Sequence, residues 1–508
     1  MTTINMEYVK MLEATIAEQQ SLIMELQKTI QQQKILIGRQ QSIIAGQQNM
    51  IHSLKETVQK QEARIAELER RLNMDSSNSS KPPSSDGFKR PKNRSLRKPS
   101  GKKPGGQAGH KGAGLSLPHK PDAVFECRPT DCEGCPHSGQ CAGRKVERRY
   151  KIDAQVTLLV HAYDRMEYAC PKKDGATLRG EFPSDIKATK QYGNCLKALV
   201  VALSAEGAVS IMRIHDLLHA LTAAPVSTGF IQNTVTAFAD SLDTSIAYIK
   251  KQLHASPVIH ADETGMRVGK KLLWVHNASN DRYTYQAVSQ KRGREGMEEA
   301  GFLPGYGGIV VHDCWAAYWK MLSEQHAICH AHILRELQGI QDNDPEQSWA
   351  KRFMDLLLRM KRVKERLLGK GKTKASRYCL RKFKEEWDRC IHEGRGQNPL
   401  PEKVKGERVR RSKARCLIDR LVKYEDAAWR FIRNFVVPFD NNQAERDIRP
   451  VKTKIKVSGC FRTEEGADGY ARIHSILSTA KKHGLNVLHT IASIFDNASI
   501  IPWDAVSE

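Results

Sequence analysis

Apolar residues recur every seven positions at the start of the chain. Val9, Ile16, Ile23, Ile30, Ile37, Ile44, Ile51, Val58, Ile65 and Leu72 all share one register. A seven-residue repeat sustained this far predicts an unbroken helix whose stripe needs a partner, that is, a coiled coil over residues 1–74. The companion seam alternates leucine (Leu12, Leu26, Leu54, Leu68) with glutamine (Gln19, Gln33, Gln40, Gln47, Gln61). β-Branched residues at one seam position with leucine at the other favour a parallel dimer, and the glutamines fix register at a cost in stability. Self-association as a homo-oligomer through this segment is expected.

The periodicity then stops. Residues 75–120 are mostly Ser, Pro, Gly, Lys and Arg, with too few apolar side chains for a core, and read as a flexible linker. From 81 to 120 it carries eleven Lys or Arg, Lys102 and Lys103 among them, against the single acid Asp86. Such an arm can neutralise DNA phosphates without reading sequence, or simply space two folded units. Residues 121–185 read as a small knuckle. Cys132 and Cys135 have the spacing of the first half of a zinc site, and alternating apolar residues then predict strands leading to Cys170. Cys170 is the natural return ligand, while Cys141, Cys127 and His137 compete for the fourth place. Over 186–250 the period is helical, in three short segments with Gly- or Pro-marked breaks. That order suits a helix-turn-helix DNA-binding unit, and packing helices alone would look the same.

Near residue 256 the period becomes two. PVIHADETGMRV puts Asp262 near the end of an apolar strand, and KLLWVHNASN and RYTYQAVSQ follow as two strands of a meander. After a helical stretch around 292–300, GYGGIVVHDCWAAYW gives a buried strand ending at Asp313. Two aspartates projecting side by side from neighbouring strands are costly unless cations neutralise them. The best third carboxylate is Glu445, in the first turn of a helix starting near Gln443 and capped by Asp440, Asn441 and Asn442. Arg446, Arg449, Lys452, Lys454 and Lys456 make its neighbourhood basic, as a phosphodiester substrate would require. Hard oxygen donors suit two Mg²⁺ or Mn²⁺ ions, which can activate a water or 3′-hydroxyl and stabilise the leaving oxygen. Glu263 should point to the opposite face of its strand and is left out of the catalytic set. His326, Cys329, His330 and His332 are read as the start of a helix, with one or two histidines lining the active site or bonding phosphate, in preference to a second zinc site. Trp315, Tyr318 and Trp319 are read as core packing.

Composition sharpens the choice of partner. Lys and Arg outnumber Asp and Glu by 81 to 57, a net charge of +24, which favours a polyanion such as nucleic acid. No apolar run of about 18 residues occurs and the first residues are a polar helix, so no membrane span or signal sequence is expected and the location is read as cytoplasmic. In that reducing setting the clustered cysteines point to metal in preference to disulfides.

The segments HADETG, VVHDCWAAY, CHAHILREL, NNQAERDIRP and STAKKHGL, with NSSKPPSSD and GKKPGGQAGHKG upstream, resemble the IS66 family of insertion-sequence transposases. The likeness runs from about residue 77 to 488, in the family's order. It implies a DDE transposase whose α/β, RNase H-like core spans 251–485, with Asp262 matching the first aspartate, Asp313 the second and Glu445 the glutamate. The stretch between Asp313 and Glu445 is too long for the bare fold, which implies a helical insertion at about 345–435. Residues 486–508 read as a C-terminal tail. The resemblance further implies Mg-dependent 3′-end cleavage and strand transfer at the element's ends, nucleoid association during action, and accessory proteins of the same element. The chain departs from the family at the knuckle, where PKKDG replaces a second cysteine near Cys170. Two other classes fit the same residues: a dimeric DNA-binding regulator without catalysis, and an RNase H-like nuclease without strand transfer.

Overall fold

The computed structural model describes residues 6–72, 78, 117, 119–132, 134–137, 140–141, 144–154, 156–170, 176–321, 325–400 and 411–496. The basic segment with Lys102 and Lys103 lies outside them. The chain divides into two units. The first is dominated by α1 (Met6–Leu72), one unbroken helix. Along its seam Ile23, Ile30, Ile37, Ile44 and Ile51 each expose 50–52% of their surface. Among the described residues nothing covers this apolar stripe, and a helix in water gains most of its stability from covering such a stripe.

The second unit opens with a 3-10 turn (Thr130–Cys132) and an antiparallel hairpin of β1 (Glu167–Cys170) and β2 (Ala176–Arg179). Strands were expected along the whole alternating stretch, yet residues 144–154 and 156–166 join no ladder among the described residues, and Val156, Leu159 and Val160 are exposed. Alternation makes a strand only where a neighbour takes up the backbone N–H and C=O groups, and here only the last four residues find one. The Cys135 N–H donates to the Cys132 carbonyl at 3.4 Å, while Cys127, Cys132 and Cys141 are exposed. Among the described residues, no three His, Cys, Asp or Glu side chains converge on a metal position. The zinc reading therefore rests on spacing alone.

Four helices follow: α2 (Asn194–Ala205), α3 (Ile211–Thr222), α4 (Thr228–Asp240) and α5 (Asp243–His254). Ser227 caps α4 by accepting the Phe230 N–H at 3.1 Å. Helices α2 to α4 enclose Val200, Ile214, Leu218, Val226 and Ile231. Further along α4, Phe238 and Ala239 enter the main core. The outer face of α4 shows Gln232, Asn233 and Thr236, with no Lys or Arg on the helix.

The central sheet contains β3 (Val258–Val268), β4 (Lys271–Ser279), β5 (Thr284–Ser289), β6 (Ile309–His312) and β7 (His326–Ile328), in the order β5-β4-β3-β6-β7. The first three form the expected antiparallel meander, while β6 runs parallel to β3 and β7 parallel to β6. Short helices α6 (Arg294–Glu299) and α7 (Tyr318–Met321) lie in the connections, and α8 (His330–Asn343) follows β7. With three residues, β7 is too short to leave a periodic signal, and the sequence reading had taken this segment straight into a helix.

Helices α9 (Ser348–Leu368), α10 (Arg377–Gln397), α11 (Lys413–Lys423) and α12 (Glu425–Arg433) form the helical segment expected before Glu445. They bury Trp349, Phe353, Leu357, Trp387, Ile418 and Trp429. Gly394 marks a close approach, since a Cβ there would lie 2.9 Å from both the Trp349 ring and Ile418. The chain returns to the sheet through α13 (Asn442–Ser458), packed on β3 and β4, and α14 (Glu464–Lys482), packed on β5. Small hydroxyl residues of α14 bond directly to β5: Ser475 Oγ accepts the Gln286 N–H at 2.9 Å and Thr479 Oγ1 the Thr284 N–H at 3.1 Å. Part of the expected tail is also ordered. Helix α15 (Val487–Phe495), capped by Asn486, packs on α2 and buries Ile491, because VLHTIASIF is apolar enough to need cover. Trp387→Ala should lower stability by about 3–5 kcal/mol through cavity formation. Urea unfolding checks this, and a loss below about 1 kcal/mol would contradict the packing described.

Candidate active site

The site begins with strand register. Val258, Ile259 and His260 of β3 pair with Ile309, Val310 and Val311 of β6. The same offset carried two residues further sets Asp313 beside Asp262. β3 does not end near Asp262, as its apolar pattern suggested, but runs on to Val268 against β4. Asp262 therefore sits where β3 loses its β6 neighbour and keeps β4, opposite Asn277.

Glu445 reaches this point because Asn441 ties the start of α13 to the sheet. Asn441 is 1% exposed. Its Nδ2 donates to the Ala261 carbonyl at 2.8 Å, its Oδ1 lies 2.9 Å from His260 Nδ1, and its backbone N–H meets Cys329 Sγ at 3.1 Å. Burial pushes His260 below the usual histidine range, and because Asn441 Oδ1 can only accept, the ring Nδ1–H is the donor. Capping thus differs from the sequence expectation. Asp440 takes the Asn442 N–H at 3.2 Å, while the Asn441 side chain holds β3 and makes no cap bond.

Asp313 and Glu445 stand close enough to Asp262 to act on it electrostatically. Burial raises the Asp262 carboxyl well above its ordinary range, and the charges of Glu263, Asp313 and Glu445 raise it further. Asp313 is also raised by burial, opposed by the Trp315 N–H at 2.9 Å and by Arg292 and Arg420. Glu263 is occupied elsewhere: Arg292 bonds its Oε1 at 2.8 and 3.1 Å, and the Tyr318 hydroxyl donates to its Oε2 at 2.6 Å. Arg292 in turn lies over Trp274 and Trp315, 4.9 and 4.2 Å from the ring centroids. Of the three aromatic residues read as packing, Tyr318 is buried and Trp319 stacks on Tyr424 at 3.7 Å.

Glu445 accepts from Arg335 at 3.2 Å and lies 3.8 Å from His332 Nε2. His332 is neutral, its pKa pushed down to about 3 by burial and by Arg335 and Arg420. The other histidines serve structure. His330 bonds the Phe439 carbonyl at 3.1 Å, and His312 and His326 meet at 3.1 Å beneath Trp319. Sequence reasoning missed Arg292, Arg335 and Arg420. Arg335 follows His332 by one helical turn in a segment already singled out, so the i, i+3 spacing was available as a signal. Arg292 lies in a loop and Arg420 deep in the helical segment, where nothing local marks them.

The basic residues after Glu445 divide. Arg446, Arg449 and Lys456 are exposed. Lys454 is 9% exposed and donates to the Ser204 and Val209 carbonyls at 3.0 and 3.3 Å, and Lys452 donates to the Gly265 carbonyl at 3.0 Å. As placed, these two lysines fasten α13 to its neighbours and are corrected from phosphate contacts to structural ones. Asp447 is likewise engaged, by Lys482 at 2.8 Å and Gln443 at 3.1 Å.

A family model described as "Transposase IS66 family" matches residues 189–469, which include all three carboxylates. The chain belongs to the IS66 transposase family. Residues 10–116 of this IS66-family chain, with the long helix and the basic segment, match a family of unknown function. A curated relative, "Uncharacterized protein y4qI" of Sinorhizobium fredii, is 24% identical over 275 residues, covering 47% of this chain and 48% of the relative. The IS66-family chain thus spans about half the length of that relative.

The raised Asp262 carboxyl has a consequence for stability. A carboxyl whose folded-state pKa exceeds its unfolded value contributes stability below the ordinary range near pH 4, and that contribution is lost as pH rises through the raised value. Asp262→Asn should therefore raise the melting temperature in EDTA by roughly 2–4 °C at pH 8, with little gain at pH 4. Differential scanning calorimetry at the two pH values checks this. An unchanged or lower melting temperature at pH 8 would mean the carboxylates do not repel.

Proposed function

We propose that this chain is a DNA transposase that cuts the 3′ ends of its element and joins them to target DNA through Asp262, Asp313 and Glu445. The observation carrying this reading is that Asp313, just past the end of β6, and Glu445, in the first turn of α13, lie close enough to Asp262 of β3 for their charges to raise its carboxyl. The sheet order, a three-stranded antiparallel meander with two further strands parallel to its first member, supports an RNase H-like core. Membership of the family supports the activity.

The donor set is of the kind hard divalent cations take, carboxylate oxygens only, partly open to solvent, with the charges of Asp313 and Glu445 raising Asp262; as placed, the three side chains are not drawn in to one metal position. Asp262, Asp313 and Glu445 would hold Mg²⁺ or Mn²⁺, which supplies charge neutralisation at the attacking and leaving oxygens when bound. Around them the chain's own groups have separate tasks. Asn441 sets the reach of Glu445, and the Glu263–Arg292–Tyr318 cluster fixes the wall beside Asp313. Arg446, Arg449 and Lys456, exposed on α13, would take backbone phosphates and orient the strand. Lys102 and Lys103 of the basic segment would add sequence-independent affinity. The uncovered stripe of α1 supports pairing of two chains, as the joining of two DNA ends requires, and accessory proteins of the element are further partners. A zinc ion on Cys132, Cys135, Cys170 and Cys141 belongs to the same reading of the knuckle. No helix among the described residues is long and apolar enough to cross a membrane.

Purified protein with a labelled duplex carrying the element's own end gives the test. With Mg²⁺ the wild type should nick the 3′ end and yield joined products. Asp313→Asn should bind the duplex equally well but cut it slower by roughly a thousandfold, the rate equivalent of several kcal/mol of lost charge stabilisation. Binding without cutting by both proteins, with accessory proteins supplied, would favour a non-catalytic regulator, and cutting without joining would favour a nuclease.

A further inference from the structure

Two arginines and a histidine outside the acidic set lie beside the carboxylates, and one of the arginines already holds a member of that set. Arg335 of α8 donates to Glu445 Oε1 at 3.2 Å, with side chains of both residues 22% exposed. His332, one turn earlier on the same helix, brings its Nε2 to 3.8 Å from the same oxygen. Arg420 reaches the cluster from α11 and is held by Glu336 of α8. Two polar atoms here are buried with no hydrogen-bond partner among the described residues: Arg420 Nε and His332 Nδ1. A buried polar atom left unpaired costs about 1–3 kcal/mol and calls for a partner outside the chain.

We propose that Arg335, His332 and Arg420 form a cradle for one phosphate of the DNA strand to be cut, and that the Glu445 carboxylate fills this cradle in the free protein. The proposal rests on the transposase reading and adds a site to it. A carboxylate and a phosphate present similar oxygens to a guanidinium, so Glu445 is a fair stand-in for the ligand. Arg335 cannot serve both at full strength. Its single contact with Glu445 and its 3.4 Å bond to the Ala331 carbonyl leave the rest of its donor fork available. When Glu445 turns to the other carboxylates, Arg335 is released beside them at the position where a strand entering the site would lay a phosphate. The helical segment of α9 to α12 then has a task at the site, because Arg420 is its contribution.

The test is a double-mutant cycle on DNA binding in EDTA, which needs neither metal nor activity. Glu445→Gln should tighten binding of the element's end about fivefold, because the cradle is emptied for phosphate. In the Arg335→Ala background the same Glu445→Gln change should give less than about a twofold gain. Arg335→Lys should keep part of the gain, and thermal melts establish that each variant is folded. An equal gain in both backgrounds would mean that Glu445 merely repels DNA at a distance, and the cradle would be wrong. This outcome is separate from that of the nicking assay: the cycle can fail while metal-dependent cutting stands, and can succeed in a protein that does not cut.

Discussion

Everything at this site depends on holding like charges together. Asp262, Asp313 and Glu445 come from a strand, a strand end and a helix, and at Asp262 the charges of the other two add to the cost of burial. What keeps them close is the neutral hydrogen bonding of Asn441, fixed on His260, Ala261 and Cys329, together with the parallel pairing of β3 and β6. The fold stores unfavourable electrostatics at one point and offsets it by packing α13 and α14 against the sheet. On the proposed function, divalent cations would complete such a site.

The surrounding arginines share the electrostatic load without neutralising it. Arg292 is committed to Glu263 and braced between two tryptophan rings, so it stiffens the wall. Arg420 is committed to Glu336, and Arg335 alone pairs directly with a member of the acidic set. The neutral His332 between them adds hydrogen-bonding capacity without further positive charge.

Much of this was legible in the sequence where a period or a spacing carried it. The heptad predicts α1, the period of two predicts β3 to β5, a buried apolar run predicts β6, and Asp313 falls just past the end of that strand. The stretch of charge after Glu445 was a poorer guide. Lys452 and Lys454 looked like surface cations, but helical geometry turns them inward, where long stems let their ammonium groups reach backbone carbonyls. Strand β7 was too short to show a pattern, and the stretch before β1 had a pattern but no partner. Asn441 read as a cap because Asn is common there, and its tie to β3, across a gap of about 180 residues, has no local signature.

Manganese binding followed by electron paramagnetic resonance, on wild type and on Asp262→Asn, Asp313→Asn and Glu445→Gln, tests most directly whether the three carboxylates form one centre. The account predicts saturable binding by the wild type, weakened about tenfold or more by each substitution, with double variants little worse than single ones because the ligands act as a unit. Wild-type binding that survives each substitution, or losses that simply add from pair to pair, would show that the carboxylates are neighbours without being a site.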